Sequence, residues 1–418
     1  MITKNCHCGH VCPSTTTASY VPQTTQTEED IKRIKFNEQL MKNVTSSPPP
    51  LRPFFQTTAM QQLRPSVVFS AMTYNVLSSS YANPSMYGYC QPEFLDWQVR
   101  GNNVLLEIYR FMSDVINLQE VEMEQFENFF LPHLQTKGYH GQFTPKSRVL
   151  TMSEPKKKLV DGCAIFWKAQ KFSLVSVKGI SYRDLVMQNT ARSEDMMNRV
   201  CNRDNIGILA VLKTTTDAWT YGPPVYPNDV EQFLIVANTH LHWDPQYADV
   251  KIIQTMIMIS EILSLADNVR TSFSRPDKVL LFSDIRILLC GDFNSLTNSG
   301  VFQFLSTGQL PLNHPELQGF DYFHAIAKIL GRECYGGITH PLNLSSACSP
   351  QIMPYTNYSY GFKEMIDYIF YSPSNLACLG VYGPISQDWF NLFNVVGCPH
   401  PFIPSDHFPV VALFQMSV

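Results

Sequence analysis

The sequence predicts an α/β (α+β) fold, on three observations. Short apolar runs rich in β-branched and aromatic residues recur from Val67 to the C-terminus. Long stretches with helical apolar spacing lie between them. Five of the runs carry Asn, Glu, Asp or His at one end. The runs are Val67–Leu77, Val115–Gln119, Cys163–Trp167, Phe233–Ala237, Ile287–Cys290, Ile366–Tyr371 and Phe408–Phe414. Their length and composition suit strands buried on at least one face. Phe94–Met112 places Leu95, Val99, Leu106 and Tyr109 on one helical face, leaving Arg100 and Glu107 to solvent. Gln246–Val269 repeats the pattern with Ile252, Met256, Ile259 and Leu263. Thr214–Asp229, with its prolines, and Arg270–Lys278 read as surface loops.

Residues 1–66 differ from the rest. Ser14–Glu29 is rich in Thr, Ser and Gln, Ser46-Ser-Pro-Pro-Pro is stiff, and only Glu28–Val44 has a thin helical face. This segment reads as a largely disordered N-terminal arm ahead of a catalytic domain at 67–418. The Cys6-His-Cys-Gly-His-Val-Cys cluster lacks a separate second pair of ligands and reads as part of that arm rather than as a zinc site.

Composition narrows the function. The 418 residues carry a formal charge of -4 and are only 16% charged but 44% hydrophobic. A sizeable core is available, while a strongly basic field for gripping long duplex nucleic acid is not. No uncharged apolar run reaches the length of a membrane span, so no membrane partner is expected. The N-terminus has no apolar signal core. Eleven Cys are too sparse for a disulfide scaffold, and reduced thiols in the cytoplasm or nucleus are expected.

The strand ends carry the chemistry. Asn75 ends Met72-Thr-Tyr-Asn, Glu120 ends Val115-Ile-Asn-Leu-Gln-Glu, and His240 ends Val236-Ala-Asn-Thr-His. Asp292 and Asn294 end Leu288-Leu-Cys-Gly-Asp-Phe-Asn, and Asp406-His407 opens the last run. One such end is ordinary, because strands must stop in something polar. Together the groups match a hard divalent cation plus acid–base residues, which is what phosphodiester hydrolysis requires. Glu120, with Asn75 and Asp406, suits Mg²⁺, which takes one or two carboxylates and keeps several waters. Asp292 and Asn294 can orient and deprotonate a water, and His240 and His407 can donate to the phosphoryl oxygens. Asp367, in Met365-Ile-Asp-Tyr-Ile-Phe, is placed to fix the His407 tautomer.

Thr73-Tyr-Asn-Val-Leu, Leu118-Gln-Glu-Val-Glu, Asp161-Gly-Cys-Ala-Ile-Phe, Asn238-Thr-His-Leu-His-Trp-Asp-Pro, Gly291-Asp-Phe-Asn-Ser-Leu, Ile366-Asp-Tyr-Ile-Phe and Pro404-Ser-Asp-His-Phe resemble the endonuclease/exonuclease/phosphatase superfamily. Tyr87-Gly-Tyr-Cys, Asn198-Arg-Val, Arg203-Asp-Asn-Ile-Gly, Pro354-Tyr-Thr-Asn-Tyr and Gly397-Cys-Pro-His-Pro narrow the likeness to mRNA deadenylases of the carbon catabolite repressor type. The resemblance runs from about Pro48 to the C-terminus. It implies a DNase I-like two-layer β-sandwich of mixed sheets flanked by helices, with the site at one end of the sheets.

It also implies a Mg²⁺-dependent 3′→5′ exoribonuclease that removes poly(A) and releases 5′-AMP, with one or two metal ions. Glu120 would bind metal, Asp292 would orient water or hold a second metal, and Asn294 and His240 would contact the scissile phosphate. His407 with Asp367 would stabilise the transition state. Asn357, Phe362 and Pro245 would enclose the terminal adenines of single-stranded poly(A) RNA. The alternative within the superfamily is a 2′,5′-oligoadenylate or nucleotide phosphodiesterase or phosphatase. The implied partner is the carbon catabolite repressor/Not complex, although residues 1–66 contain none of the leucine-rich repeats that dock such subunits. The loop Ser153-Glu-Pro-Lys-Lys-Lys-Leu departs from the family pattern, with Lys156 where an acidic residue is expected. Asp161 reads as a turn residue and His242 as packing.

Overall fold

Side-chain alternation along the strands decides the layers. In the computed structural model, which describes residues 47–59, 65–189, 193–220 and 230–417, the chain divides into units Met1–Thr45 and Ser46–Val418. The first unit lies outside the described residues, and with it the expected helix at Glu28–Val44 and the Cys6 cluster; so does most of the loop at Thr214–Asp229. In chain order the strands are β1 (Phe54–Gln56), β2 (Ser66–Asn75), β3 (Val115–Glu122), β4 (Tyr139–Pro145), β5 (Asp161–Lys168) and β6 (Phe172–Ser181). Next come β7 (Ile206–Thr214), β8 (Trp219–Thr220), β9 (Phe233–His240), β10 (Ile285–Asp292), β11 (Gln309–Leu310) and β12 (Ile338–Thr339). The last are β13 (Ser345–Ser346), β14 (Asn357–Tyr358), β15 (Lys363–Glu364), β16 (Asp367–Tyr371), β17 (Leu376–Tyr382) and β18 (Val410–Ser417).

One mixed sheet runs β1-β17-β18-β2-β3-β5-β4, with β8 paired to β2. The other runs β13-β16-β10-β9-β7-β6. On β2, Val67, Phe69 and Ala71 join the core between the sheets, whereas Met72 and Tyr74 join a second core outside. On β5, Cys163, Ile165 and Trp167 point inward and Ala164 and Phe166 outward. This is the period-two split of a sheet buried on both faces.

Helix α1 (Trp97–Phe111) covers the outer face of the first sheet through Val104, Leu105 and Ile108. It starts where Asp96 accepts from the Gln98 N–H at 2.7 Å and stops at Met112, whose φ of 45° ends the helical run. The expected apolar face is thus corrected: Leu106 is exposed, and Arg100 is buried rather than solvated. Burial is tolerable because the Arg100 guanidinium donates to four carbonyls, those of Leu95, Val76, Pro404 and Leu77, at 2.8–3.1 Å. Helix α2 (Ala248–Phe273) packs Ile252, Met256 and Ile259 into the main core, as its spacing predicts. It continues through Arg270 to Phe273, into the stretch read as a loop. Pro245–Phe273 is long and apolar enough to cross a membrane, but it is mostly buried in the fold.

The expected boundary at residue 66 moves. β1 pairs with Gly380–Tyr382 of β17. Just ahead of it, the buried Arg52 side chain donates to the carbonyls of Gly383 at 2.5 Å and Pro409 at 2.7 Å. The Trp389 indole donates to the Ser47 carbonyl at 2.8 Å. Residues 47–56 therefore belong to the Ser46–Val418 unit.

Candidate active site

Inward-facing positions turn polar at one end of the sandwich. On β2 the inward series Val67, Phe69, Ala71 continues as Thr73 and Asn75; on β3 it continues from Val115 as Asn117 and Gln119. On the facing sheet, Val236 of β9 is followed by Asn238 and His240, and Leu288 of β10 by Cys290 and Asp292. β2 runs parallel to β3 and β9 parallel to β10, so these polar ends gather at one edge of each sheet. Gln119 Nε2 donates to Asn238 Oδ1 at 2.7 Å, and Asn238 Nδ2 donates to the carbonyls of Leu118 and Ala164 at 2.9 and 2.8 Å. These buried amides join the two sheets directly below the site.

Register then places the side chains. Asp292 is the cross-strand neighbour of His240 on one side and of Asp367 on the other. Asn75 bridges the sheets: its Nδ2 donates to Glu120 Oε1 and to Asp292 Oδ2, each at 3.0 Å. Glu120 reaches this point through a β-bulge. The register slips between Leu118 and Val121, and Glu120 takes a φ of 60°. A bulge of this kind re-aims a side chain, at a strain cost of order 1 kcal/mol for a non-glycine residue. The Ser78 N–H donates to Glu120 Oε2 at 2.9 Å, and the Ser78 hydroxyl is itself held by Glu122 at 2.6 Å. His240 Nε2 lies 3.6 Å from Asp292 Oδ2 and 4.0 Å from Glu120 Oε1. His407 Nδ1 is 2.8 Å from Asp367 Oδ2, and its Nε2 is 3.7 Å from Asp292 Oδ2.

Burial and charge set the protonation states. Burial pushes the Glu120 carboxyl up to about 7, assisted by nearby Asp161. Burial and Asp367 raise Asp292 above the usual carboxylate range. Burial lowers His240 to about 4, so it is neutral at physiological pH. Burial would also lower His407, but Asp367, Asp406 and Asp292 raise it well above the ordinary histidine value. The site thus has one neutral and one cationic imidazole facing the same carboxylate.

Asn75 differs from the expected metal-ligand set, and Asp406 has one oxygen engaged and one not. Asn75 Oδ1 accepts from the Leu77 N–H at 3.0 Å, which fixes the amide with its nitrogen toward the carboxylates. In that orientation it is a donor bridge and offers no oxygen to a cation. Asp406 Oδ2 accepts from Tyr87 OH at 2.9 Å and Asn357 Nδ2 at 3.1 Å, while its buried Oδ1 makes no hydrogen bond among the described residues. The donors that fit a hard cation are the Glu120 and Asp292 oxygens, which converge on a single amide nitrogen. A buried acid pushed to neutrality is what results when carboxylates gather without a counter-charge. Asp292, Asp367 and His407 also lie within 4.8 Å of one another, but the His407–Asp367 hydrogen bond already engages that pair.

The remaining expected residues fall on the rim. Asn294, at a φ of 48°, donates through Nδ2 to the Leu241 carbonyl at 3.0 Å, leaving one amide hydrogen free to turn outward. Asn357 is buried beside Asp406, while Phe362 is 42% exposed in the turn between β14 and β15. Pro245 is exposed and begins the short turn Pro245–Tyr247. Lys156 is exposed in a one-turn helix whose Lys157 pairs with Glu154 at 2.6 Å.

Several functional neighbours escape sequence reasoning. Asp161, read as a turn residue, is fully buried and pairs with Lys146 at 2.8 Å and with Arg148. Burial would raise it, but Lys146 and Arg148 hold it down at about 2. The Tyr87-Gly-Tyr-Cys string signals the family without giving Tyr87 a role, and Ser78 lies in no motif. Only their contacts with Asp406 and Glu120 identify them.

The comparisons agree with this geometry. The model of the Endonuclease/Exonuclease/phosphatase family matches residues 72–251 and 256–407. CCR4-NOT transcription complex subunit 6-like of Danio rerio is 42% identical over 370 residues, covering 88% of this chain and 66% of that protein. The CCR4-Not complex 3′-5′-exoribonuclease subunit Ccr4 of Schizosaccharomyces pombe is 36% identical over 361 residues, 83% of this chain and 49% of that one. The chain therefore spans about two thirds of the length of the first relative and about half of the second. Among solved structures, ANGEL2, a 2′,3′-cyclic phosphatase in complex with adenosine-2′,3′-vanadate, superposes with a TM-score of 0.64 at 26% identity, covering 88% of this chain and 99% of that one. The human Nocturnin catalytic domain, at 20% identity and a TM-score of 0.54, shares the fold. A family match across most of the chain, laid over strand ends that meet at one buried acid–imidazole cluster, makes this chain a member of the endonuclease/exonuclease/phosphatase family.

Proposed function

We propose that the protein is a Mg²⁺-dependent 3′→5′ exoribonuclease that removes poly(A) tails from mRNA and releases 5′-AMP. The observation that carries the reading is the convergence of Asn75, Glu120, His240, Asp292 and the His407–Asp367 pair at one end of the sandwich. The relatives named as CCR4-NOT subunits and as a 3′-5′-exoribonuclease support it. Glu120 and Asp292 would hold the cation, which would offset charge on the phosphate and acidify a bound water.

Asp292 accepts a proton from the attacking water as the water oxygen bonds to phosphorus. His240 and His407 donate N–H groups to the non-bridging oxygens, and Asp367 keeps His407 charged and oriented. The P–O3′ bond breaks, and the ribose oxygen leaves as a hydroxyl with a proton from solvent. Asn294 steadies the phosphate through its spare amide hydrogen. Phe362 and Pro245 enclose the terminal base, with Asn357 reading its edge. The substrate is single-stranded poly(A), the partner a CCR4-NOT-type complex, and the compartments are the cytoplasm and nucleus.

The test is a ladder assay on 5′-labelled RNA ending in A20 or C20. Stepwise shortening of the A20 tail only, abolished by EDTA and by Glu120→Ala, is expected. Equal digestion of both tails would remove the adenine claim, and digestion in EDTA the metal claim. The likeness to ANGEL2 favours a second reading, a phosphatase acting on adenosine phosphate ends. Loss of a 2′,3′-cyclic phosphate from A20 without shortening would select it.

A further inference from the structure

The rim on the His240 side holds a cation and an aromatic face that the proposed chemistry does not use. Ile206, the first residue of β7, is the cross-strand partner of His240, so the residues just before Ile206 project from the same end of the sheet as the site. Asn205 Nδ2 donates to the His240 carbonyl at 3.2 Å, which fixes that connection. Two guanidinium groups lie over the Tyr247 ring, Arg199 at 4.3 Å and Arg203 at 4.0 Å from its centroid.

The two arginines differ in kind. Arg199 is neutralised by a bidentate pair with Asp249 at 2.7 and 2.8 Å. Arg203 has no such partner among the described residues. Its Nε makes no hydrogen bond, and the carboxylate next to it in sequence, Asp204, is taken by Arg148 at 2.6 Å. On the same rim, three residues beyond His240, Trp243 is 70% exposed although tryptophan is among the costliest side chains to leave in water. The His242 ring links the two aromatics, its centroid 5.2 Å from that of Tyr247 and 6.2 Å from that of Trp243. An unpaired guanidinium lying on an aromatic ring, with an uncovered indole on the same rim, has the chemistry of a nucleic-acid backbone contact beside a stacking platform.

We propose that Arg203 and Trp243 form a second nucleotide subsite, Arg203 binding a backbone phosphate upstream of the scissile one and Trp243 stacking the adjoining base. The inference rests on the exoribonuclease reading for its ligand, a single-stranded RNA. It explains how a chain with a net charge of -4 can hold its substrate: through a local contact, not a general basic field. Tyr247 pre-orients the Arg203 fork, so little side-chain freedom is lost on binding. The subsite matters only for substrates longer than the reacting dinucleotide.

The test measures binding of fluorescein-labelled A20 by anisotropy in the Glu120→Gln background, where cleavage is blocked, across a salt series. Arg203→Gln should weaken binding about tenfold and reduce the slope of log K against log salt by about 0.7, one phosphate contact on a single strand. Arg203→Lys should restore most of that slope, which a purely structural role for the Arg203–Tyr247 stack would not do. Trp243→Ala should weaken A20 about tenfold but leave an abasic ribose-phosphate 20-mer unaffected. In the otherwise native enzyme, both changes should leave turnover of ApA unaltered, with an unchanged melting temperature. An unaltered salt slope in Arg203→Gln, or equal losses on ApA and A20, would overturn the subsite. Labelled A20 that binds with these dependences but is never shortened by the native enzyme would instead overturn the exoribonuclease reading and leave the subsite standing.

Discussion

Glu120 carries two contradictory demands, a strained backbone and a buried acid pushed up to about 7. Both are costs to folding, and the second is relieved when a cation binds or when the charge is removed. Glu120→Gln removes the charge but keeps only one of the two hydrogen bonds, because Asn75 Nδ2 donates to Oε1 and the Ser78 N–H to Oε2, and the amide offers a single oxygen. The two effects oppose each other, so the melting temperature at pH 7.5 in EDTA should stay within a few degrees of the native value, while the rate of AMP release falls at least about a hundredfold. Asp292→Asn should lose activity by a similar factor, and a circular dichroism melt checks that the fold persists. The residue identities at this site were legible from the strand ends, because polar groups closing apolar runs have few other reasons to be only Asn, Glu, Asp and His. The orientation of Asn75 was not, since it depends on the Leu77 N–H rather than on the residue type. The role of Asp161 was hidden for a similar reason: an Asp-Gly pair signals a turn, and only the distant Lys146 and Arg148 reveal a buried charge cluster.

At the scale of elements, β2, β3, β5, β9, β10, β16 and β18 were readable because they are buried along most of both faces and so appear as apolar runs, whereas β1, β4 and β6, more exposed, were not. The face of α1 was not, because Arg100 occupies a core position that a hydrophobic pattern assigns to solvent. Arg100 joins α1 to the carbonyls of Val76, Leu77 and Pro404, beside the segments that carry Asn75 and Asp406. Arg100→Met should therefore leave several buried carbonyls without donors, destabilising the fold by about 3 kcal/mol in urea denaturation and lowering kcat more than it raises KM. The N-terminal strap is the other element that sequence missed, because Pro-rich composition conceals a strand of three residues. Arg52→Ala removes the donors to Gly383 and Pro409 and should cost about 2–4 kcal/mol by the same measurement.

For the whole molecule, buried histidines set the acid limit. His240, His242, His340 and His400 are each lowered by burial to about 4. His340 gives the clearest cause: Nε2 meets the Phe304 carbonyl at 2.8 Å and Nδ1 accepts from the Leu342 N–H at 3.2 Å, so the ring fits only when neutral. Between pH 6.5 and 4 the unfolded chain binds protons that these folded rings refuse, so their stabilisation is complete above 6.5 and is lost toward 4. Glu120 and Asp292, raised in the fold, act in the opposite sense over the same range but are fewer. His407, raised in the fold, is charged in both states there and drops out. The melting temperature in EDTA should fall as pH is lowered from 6.5 to 4.5, and His340→Gln should flatten that slope.

The layered architecture and its polar end follow from alternation, but the meeting of the two sheets at one cluster depends on register, which no local pattern encodes. The most direct test of that meeting is a crystal of the protein soaked with AMP and Mn²⁺ and measured at the manganese absorption edge. An anomalous peak about 2.0–2.2 Å from a Glu120 carboxylate oxygen, with the AMP phosphate between it and the two imidazoles of His240 and His407, is the predicted result. Manganese bound only elsewhere, or a phosphate seated away from His240 and His407, would contradict it.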